Sequence, residues 1–298
     1  MENILSITNL CKTYGNIKAV DNLSLQIEKG QIFGLLGPNG SGKTTTLGII
    51  LGAIQATKGT YGWFSDKTKA KNRRRIGSLL EQPNFSPWLS AEMNLKITCI
   101  TRGAPLSSIE DALKKTGLWD YRKEPFGNYS LGMKQRLGMA ATLLGNPEVL
   151  VLDEPTNGID ARGMYEIRNI ILDAAASGKT IILASHILSE VEKVCSHVAV
   201  LKEGMVVAKG AISDVLKPDD EIEVSAEDMD ALFTCLETYP KTKKIDRVGG
   251  VFQVSIDKDV KASELNRYLA ENNIFADHLS RKKVSLEHYF MKLLENEK

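Results

Sequence analysis

A glycine-rich segment between two apolar patterns constrains the fold of this chain more than any other feature. Residues 31–36 are typical of a buried strand, and residues 45–51 are typical of a helix. The segment between them matches the pattern G-x-x-x-x-G-K-S/T and reads Gly37, Pro38, Asn39, Gly40, Ser41, Gly42, Lys43 and Thr44. Glycines let consecutive N–H groups turn toward one anion, and a helix N-terminus adds unpaired donors and a positive dipole end.

This arrangement predicts a phosphate-binding loop. In such a loop the Lys43 ammonium reaches the β- and γ-phosphates, and the Thr44 hydroxyl ligates Mg²⁺. The alternative is a glycine-rich turn with an incidental lysine. The strand pattern before the loop and the helix pattern after it disfavour that alternative.

The composition indicates a globular chain without a strong net charge. Its 298 residues suffice for one large or two ordinary domains, and 43% apolar with 25% charged residues is usual for a soluble protein. The 38 basic and 37 acidic side chains leave a formal charge of +1, which does not favour binding to a polyanion. We interpret a basic cluster in residues 67–75 as a solvated loop rather than a nucleic-acid or lipid patch.

Other residue types exclude further classes of site. The cysteines lie far apart without a C-x-x-C pair, and no signal peptide is evident, so we expect free thiols in a reducing compartment. The histidines show no metal-ligand spacing. No apolar run approaches the ~18 residues that cross a bilayer, so we expect a chain that does not itself span a membrane.

The first two thirds of the chain alternate short β-branched runs with helical patterns, which predicts an α/β layer architecture. The predicted strands include residues 4–10, 23–27, 149–152 and 180–184, the last two fully buried and parallel. A helix is predicted over residues 162–176, a mostly helical insertion over 87–144 and a hairpin over 198–208.

The pattern changes near residues 216–220, and we place a boundary there between an ATPase-like domain, 1–216, and an accessory domain, 217–298. The second part follows the order β-α-β-β-α-β, the ferredoxin-like arrangement, with Gly249 and Gly250 marking a hairpin. A last amphipathic helix carries Leu286, Tyr289, Phe290, Leu293 and Leu294.

Polar residues follow three of the predicted strands. Asp153 is expected to complete the Mg²⁺ shell opposite Thr44, and Glu154 to polarise a water for attack on the γ-phosphate. An acidic pair is also common as a helix N-cap, but its position downstream of a phosphate loop favours catalysis. His186 could contact the γ-phosphate, with capping or packing as the alternative, and the Gln82 amide oxygen could ligate Mg²⁺.

In their order, these motifs resemble the ATP-binding cassette ATPase, the motor subunit of ABC transporters, over residues 4–211. The resemblance implies that Tyr14 stacks on adenine, that residues 37–45, including Thr45, form the Walker A loop, and that Gln82 is the Q-loop glutamine. It implies that Asp153 and Glu154 are the Walker B pair, residues 157–160 the D-loop and His186 the switch histidine.

The family's signature, usually Leu-Ser-Gly-Gly-Gln, appears here as Tyr129-Ser130-Leu131-Gly132-Met133. It departs at the first, third and fifth positions. The resemblance implies that the Ser130 hydroxyl and the Gly132 N–H meet the γ-phosphate of a partner subunit's ATP, which suits a helix N-terminus. The variant looks like the subgroup that exports peptide antibiotics and drugs, bacitracin and lantibiotic systems among them.

The resemblance therefore implies a homodimer that holds two ATP molecules, with Mg²⁺, between its subunits. It also implies a separate transmembrane permease, with this chain bound at the cytoplasmic face of the cell membrane. Residues 82–89 would then transmit the opening and closing of the dimer to that permease. The expected cargo is an antimicrobial peptide or drug, with antibiotic resistance or bacteriocin immunity as the outcome. Export of lipid, polysaccharide or ions stays open.

Two other classes compete with a transporter subunit. A soluble cassette ATPase acting on nucleic acid or ribosomes is disfavoured by the single cassette, the lack of a long coiled-coil insertion and the neutral charge. A plain P-loop kinase or regulatory ATP-binding module has no use for Ser130, Gly132 or a switch histidine. We therefore predict no nucleic-acid partner.

Overall fold

The computed structural model describes residues 2–64, 74–215, 221–257, 260–281, 285–287 and 289–290. The chain divides into two compact units, Met1–Ile212 and Ser213–Lys298. Three predictions fall wholly or partly outside the described residues. They are the basic cluster up to residue 73, the boundary at residues 216–220, and Leu293 and Leu294 of the last amphipathic helix.

The first unit contains two sheets. Its strands are β1 (Asn3–Tyr14), β2 (Ile17–Glu28), β3 (Ile32–Leu36), β4 (Lys58–Trp63), β5 (Ile76–Leu79), β6 (Val149–Asp153), β7 (Thr180–Ser185), β8 (His197–Lys202) and β9 (Met205–Ala211). One sheet has the order β5-β6-β7-β3-β8-β9, parallel except for the β8–β9 hairpin. The other has the antiparallel order β2-β1-β4. The predicted α/β class is thereby confirmed.

The helices of this unit are α1 (Lys43–Ile50), α2 (Ala91–Arg102), α3 (Ser108–Lys115), α4 (Leu131–Leu143), α5 (Ala161–Ala176) and α6 (Leu188–Val194). A short helix, α7 (Ile212–Val215), begins at the last residue of this unit and continues into the second unit. Side-chain caps fix several helix starts. Ser90 accepts a hydrogen bond from Met93 N (3.2 Å), and Asp160 accepts one from Gly163 N (2.9 Å). Helices α2, α3 and α4 lie between β5 and β6, in the part of the chain where the sequence predicts a mostly helical insertion.

Strands β6 and β7 are buried along their whole lengths, as expected for parallel strands covered on both faces. Their register sets Asp153 beside Ala184, so that the residues after both strands emerge at one sheet edge. The helical insertion has its own apolar core, and Arg102 ties it to this sheet. The Arg102 guanidinium donates to Ala141 O (2.8 Å) and to Ile76 O (2.7 Å), and its burial lowers its pKa.

The second unit contains β10 (Glu221–Ala226), α8 (Met229–Thr238), β11 (Thr242–Val248), β12 (Val251–Ile256), α9 (Ala262–Glu271) and β13 (Ala276–Arg281). Its strands form a sheet of order β11-β12-β10-β13 in which all neighbours are antiparallel. Ile222, Val224, Leu232, Val254 and Leu265 are fully buried in its core. This unit therefore buries an apolar core of its own.

Among the described residues, no helix combines the length and the apolar character that crossing a membrane requires.

Candidate active site

The loop between β3 and α1 needs glycine at two positions. Gly37 (φ 153°) and Gly42 (φ 99°) have backbone angles that L side chains rarely adopt. A Cβ on Gly42 would lie 2.2 Å from Ala19 O, and a Cβ on Gly37 would lie 2.4 Å from Leu201 O. The loop thus curls tightly against two neighbouring backbone segments just before α1, the kind of turn whose N–H groups can bind an anion.

The Lys43 side chain, only 6% exposed, turns back over this loop. Its ammonium donates to Gly37 O (2.8 Å) and Pro38 O (3.2 Å) and lies 3.6 Å from Glu154 Oε1. A buried cation is thereby held against the carbonyl oxygens of the loop, close to the Glu154 carboxylate. This arrangement favours an anion such as a phosphate group.

The Asp153 carboxylate at the end of β6 is 1% exposed. Its Oδ1 has no hydrogen-bond partner among the described residues. Burial raises the pKa of Asp153, and a hydrogen bond from the Thr44 side chain opposes that shift. A carboxylate oxygen without a partner, beside a hydroxyl, is the kind of donor set that Mg²⁺ takes, so these residues fit the ion.

Glu154 links the charged groups at this edge of the sheet. Its Oε2 lies 2.8 Å from His186 Nδ1 and accepts a hydrogen bond from His186 N (3.3 Å), while its Oε1 faces Lys43. Glu154 has φ 47°, an uncommon conformation for a residue with a side chain, and its N–H donates to Ala184 O (2.9 Å). The backbone hydrogen bond to Ala184 thus fixes the main chain at Glu154, and contacts with His186 and Lys43 flank its carboxylate.

A cavity of about 670 Å³ brings several predicted residues together, and it is lined by Thr44, Glu81, Gln82, Pro83, Asn84, Gln135, Asp153, Glu154 and Asn157. Lys43 and His186 join this group through their contacts with Glu154. The other predicted residues of the phosphate loop lie beside it. Pro38, Asn39 and Gly40 are exposed, Ser41 is buried and Thr45 is half-buried.

Tyr14, Ser130 and Gly132 lie outside this lining. Tyr14 ends β1, is 48% exposed and has Lys12 Nζ 4.7 Å from its ring centre. Ser130 is exposed and caps α4, since its Oγ accepts a hydrogen bond from Met133 N (3.3 Å). A Cβ on Gly132 would meet no heavy atom within 4 Å, so the backbone there is open to an approaching group.

Two departures from the usual signature have packing explanations. Tyr129 is buried, its hydroxyl donates to Tyr121 O (2.8 Å), and burial raises its pKa to about 12. Leu131 Cδ2 would lie 3.3 Å from a Cβ on Gly158, which places the Leu131 side chain against residues 157–160. The substituted side chains therefore contact their own chain.

Sequence reasoning missed two features, of which one lies in the site. Gln135 lines the cavity from α4, and Arg168 of α5 forms a bidentate ion pair with Glu190 of α6 (2.7–3.0 Å). Burial raises the pKa of Glu190, but hydrogen bonds from Arg168 and Lys193 outweigh burial and the net pKa is lowered. The available signal for Gln135 was a polar residue on an otherwise apolar helix face.

Comparison with known proteins identifies the family. A family model described as ABC transporter matches residues 20–157. The chain is 36% identical to the bacitracin transport ATP-binding protein BcrA of Bacillus licheniformis, over 99% of this chain and 98% of that protein. The chain belongs to the ATP-binding proteins of ABC transporters. It is an ABC-type ATPase subunit of a transporter, and a cassette acting on nucleic acid is not favoured.

Further similarities fit this ABC family. The chain is 40% identical to the lantibiotic transport ATP-binding protein SrtF of Streptococcus pyogenes, over 68% of this chain and 89% of that protein. A solved dimeric ATP-binding cassette, MJ0796 bound to ADP and Pi in a post-hydrolysis state, is 27% identical with a TM-score of 0.63, covering 70% of this chain and 99% of that one. The predicted resemblance and the ATP-binding fold are confirmed.

We expect Asp153→Asn to stabilise the metal-free ABC subunit. The raised pKa means that the folded state favours the protonated carboxyl, so the cost of burying the charge is present at neutral pH and disappears as pH falls through that pKa. The amide mimics the protonated form, with a gain of about 1–2 kcal/mol, or roughly 2–8 °C in melting temperature. Thermal unfolding in EDTA at pH 7.5 and pH 5 measures the effect.

The control is Asp173→Asn, which alters an exposed carboxylate on α5. The gain for Asp153→Asn should shrink at pH 5, and added Mg²⁺ with ATP should stabilise the parent chain more than the variant. A lower melting temperature of Asp153→Asn in EDTA at pH 7.5 would contradict the prediction.

Proposed function

We propose that this ATPase works with Mg²⁺ as one half of a homodimer and drives export of an antimicrobial peptide or drug through a separate permease. It would lie on the cytoplasmic face of the cell membrane. The main structural support for ATP hydrolysis is the position of the Glu154 carboxylate. It lies between the Lys43 ammonium and the His186 ring, next in sequence to the buried Asp153. The cargo is inferred from the names of the relatives, which act in bacitracin and lantibiotic transport.

In the proposed mechanism, each residue has one task. Lys43 and the N–H groups of the phosphate loop bind the β- and γ-phosphates of ATP. Thr44, Asp153 and Gln82 would hold Mg²⁺, which when bound neutralises charge on the phosphates. Glu154 accepts the proton of the attacking water, and His186 keeps the Glu154 carboxylate oriented through the 2.8 Å contact. Tyr14, exposed at the end of β1, is the proposed platform for adenine.

The proposed homodimer follows from the position of the signature. Ser130 and Gly132 are accessible at the start of α4 and do not line their own chain's cavity. A second subunit facing this helix end would supply an ATP γ-phosphate to these groups. The dimeric cassette MJ0796 supports the arrangement by similarity.

The proposed permease contact lies on α2 and the loop before it. Met93 (46% exposed), Ile97 (46%) and Ile100 (74%) recur at helical spacing on one side of α2, and Trp88 (85%) precedes them. Asn94 holds the loop, since its side chain exchanges hydrogen bonds with Ser86 N (3.0 Å) and Ser86 O (3.1 Å). An exposed apolar stripe of this kind suits a helical segment of a membrane protein.

The exported substrate can be tested in the source cells. Deletion of this subunit should increase their sensitivity to bacitracin or to a lantibiotic, and the parent sequence should restore resistance. The Glu154→Gln chain should be expressed and fail to restore it. If sensitivity to both peptides is unchanged on deletion, the proposed cargo is wrong, while the ATPase assignment stands on the purified protein.

For the second unit we propose a ferredoxin-like accessory domain in residues 217–298. Its β-α-β-β-α-β order, antiparallel sheet and separate core support this proposal. Its role would be dimer stabilisation, permease docking or regulation.

We expect truncation after Lys217 to leave a chain that still binds ATP, measured by calorimetry. An insoluble product, or loss of ATP binding, would mean that the tail completes the cassette core.

A further inference from the structure

Gln135 carries a buried polar atom that the mechanism does not use. Its side chain is 2% exposed, and its Oε1 accepts no hydrogen bond among the described residues. A buried carbonyl oxygen without a partner is unfavourable, and most buried polar atoms in native proteins are paired. A methionine or leucine would fill the same space on α4 without this cost. The acceptor therefore suggests a partner that arrives in another state of the site.

The packing of α4 indicates where that partner lies. Gly138, three residues after Gln135, is on the same side of the helix. A Cβ on Gly138 would lie 2.7 Å from Pro83 Cγ and 3.0 Å from Leu79 Cδ1. This side of α4 is thus packed directly on the end of β5 and on the residue after Gln82. Gln135 and Gln82 line the same cavity, together with Thr44 and Asp153.

We propose that Gln135 is a positioning residue for the Gln82 amide. The Gln82 side chain presents a carbonyl oxygen at one corner and an NH₂ group at the other, and nothing intrinsic decides which one faces a cation. Gln135 Oε1 accepts a hydrogen bond from Gln82 Nε2, which turns Gln82 Oε1 toward the Mg²⁺ position beside Asp153 and Thr44. This inference rests on the metal role proposed above for Gln82.

Two other amides, Asn84 and Asn157, line the cavity and could supply the donor. The contact between Gly138 and Pro83 favours Gln82, because it fixes the Gln135 side of α4 against the Gln82–Pro83 turn. Residues 157–160 instead meet α4 one turn earlier, where Leu131 lies against Gly158. Ser130 caps the start of the same helix, so the hydrogen bond would connect the metal site with the signature.

The test uses the full-length chain with Glu154→Gln in the background to prevent hydrolysis. Calorimetry measures ATP affinity with Mg²⁺ and with EDTA for Gln135→Met, Gln82→Met and the double variant. Methionine keeps the shape of glutamine and removes the acceptor. Loss of one such hydrogen bond should weaken Mg²⁺-dependent binding by about 3- to 10-fold and leave binding in EDTA unchanged. The double variant should be no weaker than Gln82→Met alone.

A structural role for Gln135 predicts something different. Since its oxygen has no partner in the metal-free chain, Gln135→Met should melt no lower than its parent in EDTA, whereas a structural hydrogen bond would lower the melting temperature. Equal weakening with and without Mg²⁺, additive effects of the two variants, or coupling to Asn157→Leu instead of Gln82→Met would each overturn the proposal.

The metal role of Gln82 and the positioning role of Gln135 are distinguished by the single variants. If Gln82→Met leaves Mg²⁺-dependent affinity unchanged, the metal role proposed for Gln82 is wrong and the positioning role of Gln135 falls with it. If Gln82→Met weakens that affinity and Gln135→Met does not, only the positioning role is overturned.

Discussion

Glu154→Gln is expected to bind ATP normally and to lose about 10²–10⁴-fold in hydrolysis rate. The amide keeps the shape of the side chain and can still accept the hydrogen bond from His186 N, but it cannot take a proton from water. Because binding is retained while turnover is lost, the variant should also accumulate as an ATP-bound dimer. Phosphate release and size-exclusion chromatography with ATP and Mg²⁺ measure the two effects.

The control is Glu237→Gln, which removes an exposed carboxylate on α8. It changes the net charge of the chain equally, and no role in ATP binding or proton transfer is proposed for it. We expect hydrolysis by Glu237→Gln to stay within a small factor of the parent rate. Near-normal turnover by Glu154→Gln, or an equal loss in both variants, would remove Glu154 from its proposed role.

The sequence predicted those parts of the fold that depend on short-range patterns. The phosphate loop was recognisable because its glycine positions are dictated by close backbone contacts, such as the one between Gly42 and Ala19 O. Strands β6 and β7 were recognisable because burial on both faces makes them continuously apolar. Since these strands are parallel neighbours, the polar residues that follow them, Asp153, Glu154 and His186, could be expected at one edge.

Longer-range geometry was less predictable. Strand β1 extends to Tyr14, well beyond the predicted residue 10. Its last residues are polar, but they still pair with β2 and therefore remain part of the strand. The pair of Arg168 and Glu190 depends on how α5 and α6 pack, and neither residue belongs to a motif. Whether Gln135 Oε1 has a hydrogen-bond partner depends on the burial of that single atom, which the sequence does not reveal. Pattern analysis detects residue types at fixed spacing, whereas these contacts are set by the packing of whole elements.

We expect Lys43→Ala and Ser130→Ala to fail at different steps. Lys43→Ala removes a buried charge that we propose binds the phosphate oxygens of ATP, so ATP binding by the monomer should weaken by about 10- to 150-fold. Ser130→Ala should leave monomer binding intact and impair ATP-dependent dimerisation and hydrolysis, because the exposed hydroxyl serves the ATP of the other subunit in the proposed dimer. Calorimetry at low protein concentration and size-exclusion chromatography separate the two steps.

Ser130→Ala also removes the N-cap of α4, which by itself costs about 1 kcal/mol of stability. Ser90→Ala is the matched control, because Ser90 caps α2 through the same kind of bond to Met93 N (3.2 Å). Both variants should lose similar thermal stability, and only Ser130→Ala should lose dimerisation with ATP. If Ser90→Ala impairs dimerisation equally, helix fraying explains the effect. If Ser130→Ala weakens ATP binding by the monomer as much as Lys43→Ala does, Ser130 acts within its own chain and the shared site is wrong.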